Sequence, residues 1–308
     1  MFKDFIGINP IAWSNDDLPG VGGDISLETC LREAAAAGYD GIELGGKFPR
    51  DAGRLAPLLE RHRLSLVSGW YGGHLLRRDA REEAVALQGH LDLLIQMGCG
   101  VLVFAEVTAR TYADIRMGFS RRPGMNGEEW RLFAARLGEL AKRTAGQGVE
   151  LAYHHHVGTV VQSAADIERL METTPDAVRL LLDTGHALYA GAEPVAIART
   201  FGGRIGHVHC KDVRRGILER GLNRDASFPD AVLDGVFTVP GDGCVDFPAV
   251  LAALRDTAYE GWLVVEAEQD PSVAPPARYA RMGYDSLLEF IAPLRAPAGR
   301  SRRPPRGP

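Results

Sequence analysis

Four short stretches concentrate side chains that can hold a metal or move a proton. "VELAYHHHVGT" (149–159) sets three histidines in a row, and "LLLDTGH" (180–186) ends an apolar run on Asp183 and follows it with His186. "HVHCKD" (207–212) offers His207, His209, Lys211 and Asp212, and "VVEAEQD" (264–270) offers Glu266 and Glu268. Glu43 lies at the end of "GYDGIEL" and Glu106 near the end of "VLVFAEV". Burying that many ionisable groups without compensation costs on the order of several kcal/mol each. A divalent metal together with a polar substrate would compensate. Nitrogen and oxygen donors without cysteine suit Mn²⁺, Co²⁺, Fe²⁺, Zn²⁺ or Mg²⁺, and a pair of imidazoles argues away from Mg²⁺ and Ca²⁺.

The spacing sorts these groups. Side chains alternate along a strand, so His154 and His156 share one face while His155 points behind it. One of the pair can bind a metal and the other can handle a proton or a substrate hydroxyl. Asp183 either joins His186 at the same rim or caps the helix that follows. His207 and His209 also share a face, with His207 deeper, as a packed core histidine, and His209 nearer the mouth, as a ligand.

The elements that must position them alternate strictly. "FIGINPIAW" (5–13) reads as a strand, and "SLETCLREAAAAG" (26–38) as a helix capped by Ser26 and stopped by Gly38. Strands over 39–44, 64–70, 101–107, 149–154, 178–183, 204–210 and 262–268 alternate with helices over 51–63, 79–98, 126–148, 163–174, 193–202, 246–257 and 275–291. Eight strand–helix pairs with strands rich in Val, Leu and Ile predict a (β/α)8 TIM barrel as a single domain over 1–294. A doubly wound sheet would carry a Gly-rich phosphate loop opening a helix after its first strand, and "PGVGGD" (19–24) lacks that register. In a barrel the active site lies at the C-terminal strand ends, where the ionisable residues stand.

The remaining sequence narrows the class. The chain has 308 residues and a formal net charge of −5, which implies no general attraction to nucleic acid or an anionic membrane. No apolar run approaches the ~18 residues of a membrane span, and the first residues lack a signal-peptide pattern. Scattered cysteines fit reduced thiols and a cytoplasmic location. The basic, proline-rich segment 295–308 is expected to be a disordered tail. Trp13, Trp70 and Tyr71 either wall a small polar substrate or pack. His74 and Arg78 are weaker candidates of the same kind, and Glu28, His62 and His90 sit on helices as solvated or packed residues. The stretch 213–245 is too long for a simple connection and reads as a cover over the mouth or an oligomer contact.

"GYDGIEL", "LLLDTGH", "HVHCKD" and "GWLVVEAEQDP" resemble the motifs of the xylose-isomerase-like barrels, the sugar phosphate isomerase/epimerase superfamily, over roughly residues 3–292. The resemblance implies a metal held by Asp183, His209 and Glu266 from strands six, seven and eight. The superfamily usually places a Glu on strand five, in a pattern like Glu-Asn-His, where this chain has His154-His155-His156. That departure makes His154 the expected fourth ligand, with Glu106 as the substitute if the register shifts, and counts against a two-carboxylate epimerase. "YHHHVGT", "NPIAWSNDD" and "VVEAEQDP" are similar to stretches of the inosose dehydratases. That likeness implies a hydro-lyase converting 2-keto-myo-inositol to a trihydroxycyclohexane-1,2-dione in myo-inositol catabolism. It also implies Mn²⁺ or Co²⁺ as the metal and His156 as the base. The acid is left open among His186, Lys211 and Glu43. Trp13, Glu43, Trp70 and Glu268 are the candidate substrate contacts. The expected partner is a small polyhydroxylated ketone, with no nucleic acid or membrane, and a homo-oligomer is compatible. The alternative is a keto-sugar isomerase or epimerase on the same barrel and metal.

Overall fold

Eight of the apolar runs pair in parallel and close on themselves. The computed structural model describes residues 5–295. Its strands are β1 (Ile6–Ile8), β2 (Gly41–Leu44), β3 (Ser65–Gly73), β4 (Val101–Glu106), β5 (Glu150–His154), β6 (Val178–Asp183), β7 (Ile205–Cys210), β8 (Asp212–Val213), β9 (Phe237–Thr238) and β10 (Leu263–Val265). All but β8 and β9 form a closed barrel in the order β1-β10-β7-β6-β5-β4-β3-β2. The helices are α1 (Leu27–Ala37), α2 (Ala52–His62), α3 (Ala80–Gln96), α4 (Gly127–Ala145), α5 (Ala164–Thr173), α6 (Thr184–Tyr189), α7 (Pro194–Phe201), α8 (Arg215–Asn223), α9 (Phe228–Leu233), α10 (Phe247–Asp256) and α11 (Pro276–Arg295). This is the predicted TIM barrel.

Two apolar layers result from the strand alternation. Val103, Ala152 and Leu181 meet inside the barrel as a small buried cluster. Their strand neighbours Leu102, Phe104, Leu151, Tyr153, Leu180 and Leu182 face outward into the main core under the helices. The parity set by Ala152 and Leu181 carries to His154 and Asp183, two residues further along each strand, and turns both inward. Local sequence fixes the helix starts. Asp79 with Glu82, Asn126 with Glu129 and Ser163 with Asp166 form capping boxes on α3, α4 and α5, satisfying amides that would otherwise lack partners.

Three of the differences from the sequence reading bear on the site. The first strand stops at Ile8 rather than running to residue 13, because Pro10 has no N–H for the ladder. A single 3-10 turn follows, and Asn9 Oδ1 accepts from Ile11 N at 2.9 Å. The last barrel strand ends at Val265, so Glu266 and Glu268 lie in irregular chain just past it. The stretch 213–245 is folded rather than a bare loop: β8 and β9 make an antiparallel ribbon flanking α8 and α9. Asp212 organises its return by accepting from the amides of Val213, Gly241, Gly243 and Val245. The expected tail lies outside the described residues, except Arg295, which ends α11. Among the described residues no helix is long and apolar enough to cross a membrane.

Candidate metal centre and substrate pocket

The ends of β5, β6 and β7 and the residue after β10 bring His154, Asp183, His209 and Glu266 together. One ligand atom from each lies within 4.8 Å of the others, and all four residues are buried. His154 Nε2 is 3.5 Å from Asp183 Oδ2, His209 Nδ1 is 3.4 Å from the same oxygen, and His209 Nδ1 is 2.9 Å from Glu266 Oε2. Ligands about 2.1 Å from one ion stand roughly 3–3.5 Å apart, so these spacings suit a single divalent metal. Asp183 Oδ2 and His209 Nδ1 are buried and lack a hydrogen-bond partner, a costly arrangement that a metal would relieve. Two neutral imidazoles and two carboxylates would balance its charge.

Hydrogen bonds to the far side of each ring select the tautomer this centre needs. His154 Nδ1 lies 3.0 Å from the His155 carbonyl, so Nδ1–H donates there and Nε2 keeps its lone pair. His209 reverses the pattern: Nε2–H donates to Glu43 Oε1 at 3.2 Å, leaving Nδ1 for the ion. His156 Nδ1–H donates to the Val157 carbonyl at 2.7 Å, so its Nε2 is also bare. Burial and the neighbouring His186 and His154 hold the His156 imidazole well below the usual histidine range, so it is neutral. His155, behind the sheet, accepts from Asp183 N at 3.3 Å and is held down to about 3 by burial and His154.

Asp183 does both things the sequence allowed. Its Oδ1 accepts from His186 N at 2.7 Å as the cap of α6, while Oδ2 faces the cluster. Burial works against its charge, but Lys211 and His186 overcome it and hold the carboxyl well below the usual range. Burial likewise opposes Glu266, yet His209 and Lys211 bring it down to about 2. Around His209 the balance runs the other way: against burial, Glu266 and Glu43 hold the imidazole well above its ordinary value. The carboxylates there demand positive charge, which a proton or a metal ion supplies alike.

The pocket in front of this cluster is lined by Asn9, Asp16, Asp17, Glu43, Trp70, Val103, His154, His156, His209, Glu266 and Glu268, among others. Trp70 presents its indole edge-on to His154 and His156, with ring centroids 5.4 and 5.9 Å away. Trp13 is not part of this wall: it is buried elsewhere and its indole N–H donates to Glu33 Oε2 at 2.7 Å. Tyr71 has the opposite strand parity from Trp70 and donates to Glu83. His74 and Arg78 are drawn to Thr108 and Glu83 rather than to the pocket. Glu106 faces away too, accepting from the amides of Leu76 and Thr108.

The three candidate acids are placed unequally. Glu43 lines the pocket but is saturated: Oε1 accepts from Ser68, His207 and His209, and Oε2 from Asn9 Nδ2 at 2.6 Å. Lys211 and His186 lie behind the wall, wholly buried, with Lys211 Nζ 3.0 Å from His186 Nε2. Over them sits the 213–245 segment. Phe228 and Phe237 pack on His186 at 5.6 and 5.4 Å, and Tyr112, from the stretch after β4, closes on His156 at 4.7 Å.

Sequence reasoning missed Asn9, Ser68, Asp17 and these aromatics. Asn9 donates to Glu43 and, at 2.8 Å, to Glu266, tying the two carboxylates together. Its signal was available: in "GINP" the proline ends the strand one residue later, which puts Asn9 at the rim. The aromatics gave no local signal, because they come from a segment distant in the chain.

Residues 31–290 match the family model described as the xylose isomerase-like TIM barrel. The chain belongs to that family. Within it, the chain is 49% identical to the rhizopine catabolism protein MocC of Rhizobium meliloti, over 93% of this chain and 88% of MocC. It is 42% identical to an inosose dehydratase of Geobacillus thermodenitrificans, over 91% of this chain and 96% of that enzyme. Among solved structures, the IOLI protein with a binding zinc atom superposes with a TM-score of 0.69 at 19% identity, over 94% of this chain and 98% of that one. The probable 3-DHS dehydratase AsbF from Bacillus anthracis superposes with a TM-score of 0.64 at 14% identity, over 94% and 99%. At such identities these two likenesses show a shared fold.

Proposed function

We propose that this family member is a metal-dependent hydro-lyase that removes water from 2-keto-myo-inositol (scyllo-inosose), giving a trihydroxycyclohexane-1,2-dione in myo-inositol catabolism. The carrying observation is the pair of strand-five imidazoles. His154 has a bare Nε2 in the ligand cluster, and His156, on the same face and lining the same pocket, has a bare Nε2 as well. A carboxylate on strand five, which a two-carboxylate epimerase would use, is replaced by an imidazole. The similarity to inosose dehydratases over nearly the whole chain supports the same reading.

The lining narrows the substrate. It carries Asp16, Asp17, Glu43, Glu266 and Glu268 and, among the described residues, no lysine or arginine. A phosphate or carboxylate on the substrate would meet like charge without a partner. A neutral polyhydroxy ketone fits.

When bound at His154, Asp183, His209 and Glu266, a divalent metal, Mn²⁺ or Co²⁺ in our reading, would act as a Lewis acid on the ketone and a neighbouring hydroxyl. His156 Nε2 takes the proton from the carbon beside the ketone, a step of general-base catalysis worth about 10²–10⁴ in rate. The electron pair of that C–H bond becomes a C=C bond as the β C–O bond breaks. The leaving hydroxide takes a proton from the carboxyl side of the pocket, where Asp17 and Glu268 stand. Enclosure of its carboxyl at the pocket rim and the neighbouring Glu268 raise Asp17 to about 6, although the residue as a whole keeps an exposed face. Tyr112 and Phe228 pack on the His156 imidazole, and Trp70 lines the pocket beside it. We place the reaction in the cytoplasm, in keeping with four free cysteines.

The test is a product-mass assay of Mn²⁺-loaded protein with scyllo-inosose, dehydroshikimate and a free ketohexose. We expect loss of one water from the inosose, abolished by a chelator, and far slower turnover of the carboxylated ketone. An unchanged mass with a new stereoisomer would establish the epimerase alternative instead.

A further inference from the structure

A second group of potential ligands adjoins the first. His156, His186 and Glu268 offer ligand atoms within 4.8 Å of one another, all buried. Into this group projects the Lys211 ammonium, 2.7 Å from Glu268 Oε1 and 3.0 Å from His186 Nε2. It is also 2.6 Å from Glu266 Oε1 and 3.6 Å from Asp183 Oδ2. Glu266 is therefore divided: Oε2 faces the His154–Asp183–His209 cluster, while Oε1 holds the ammonium. A carboxylate with one oxygen toward each of two positive centres is the geometry of a bridging ligand between paired metals.

The surroundings of Lys211 are built to keep it there. The side chain is wholly buried, and its ammonium lies 4.7 Å from the Phe237 ring centroid. Thr184 fixes its backbone, accepting from Lys211 N at 3.0 Å and donating to Lys211 O at 2.7 Å. Gly185 clears a path for its stem: a Cβ there would stand 2.5 Å from Lys211 Cγ. The glycine of "LLLDTGH" thus serves the lysine of "HVHCKD". With three buried acceptors within 3.0 Å of Nζ and no place in the pocket lining, Lys211 is a positioning residue and not the acid that reaches substrate.

We propose that the Lys211 ammonium stands in the place of a second divalent cation, making this a one-metal centre laid out as a two-metal one, and that removing it opens a second metal site at His156, His186 and Glu268 bridged by Glu266. The inference rests on the reading of His154, Asp183, His209 and Glu266 as the resident metal site. Its effect is to hold Glu266 in its bridging pose while leaving His156 Nε2 free as a base, which a second metal would occupy.

The experiment counts Mn²⁺ per chain by elemental analysis after equilibrium dialysis, with electron paramagnetic resonance of the bound ion. Wild-type protein should saturate at one equivalent with an isolated-ion spectrum. Lys211→Met should saturate at two, with the broadened spectrum of a coupled pair, and Lys211→Met/Glu268→Gln should return to one. Lys211→Gln serves if the methionine variant does not fold. Wild-type protein saturating at two equivalents contradicts the proposal without any variant. One equivalent or none in folded Lys211→Met or Lys211→Gln, beside one in the wild type, overturns it as well. No metal on the wild type would overturn the underlying metal-site reading itself.

Discussion

On one side of the barrel mouth, β5, β6, β7 and the chain just past β10 deliver His154, Asp183, His209 and Glu266 to one point. On the other side, β4 ends on Glu106, which turns outward to the amides of Leu76 and Thr108. Both sides are buried carboxylate-bearing strand ends, and their electrostatics are opposite. Burial raises Glu106 and its hydrogen bonds do not fully offset that, whereas His209 and Lys211 overcome burial at Glu266 and bring it to about 2. Strand parity decides which way each carboxylate points, and the cations it then meets decide whether its pKa moves down or up. The β3–β4 side supplies Trp70 and Val103 as an apolar wall of the pocket, opposite the polar side.

Substitutions on the two sides should separate cleanly. The largest effect is expected for Asp183→Ala, which removes a ligand and the cap of α6 together. Bound metal should fall from one per chain to near zero, and turnover by at least about 10²-fold, as read by elemental analysis and the product-mass assay. Next comes His156→Gln, for which kcat should drop about 10²–10⁴-fold while metal content stays at the wild-type value. Equal loss of metal would instead make His156 a ligand. Glu43→Gln removes the negative charge from the acceptor that orients His209, and metal affinity should weaken about 10–100-fold in a competition titration with a chelator. On the opposite side, Glu106→Gln should leave both metal content and kcat within about twofold. A large drop there would erase the distinction between the two sides.

Much of this was legible from the chain alone, for reasons that particular residues make plain. The strict alternation of apolar runs and amphipathic helices implies the barrel, and period-two alternation places His154 beside His156 with His155 behind. Asp183, His209 and Glu266 stood out because a charge ending an apolar strand needs a partner. What stayed hidden depends on packing between distant segments. Trp13 ends a strand-like run just as Trp70 does, but Pro10 breaks the ladder and sends Trp13 to Glu33. Glu43, His186 and Lys211 all looked able to reach a substrate. Glu43 does line the pocket, with its oxygens held by Ser68, His207, His209 and Asn9, whereas His186 and Lys211 are bound to each other behind it, Lys211 also holding Glu268. The cover built from 213–245 could be read as an unusually long connection, while its contacts with His186 could not.

The most direct test is an anomalous-scattering map from crystals grown with Mn²⁺. The account predicts one strong peak within about 2.0–2.3 Å of His154 Nε2, Asp183 Oδ2, His209 Nδ1 and Glu266 Oε2, with His156 Nε2 facing the same pocket unliganded. A single peak seated instead among His156, His186 and Glu268, or at Glu106, would contradict it.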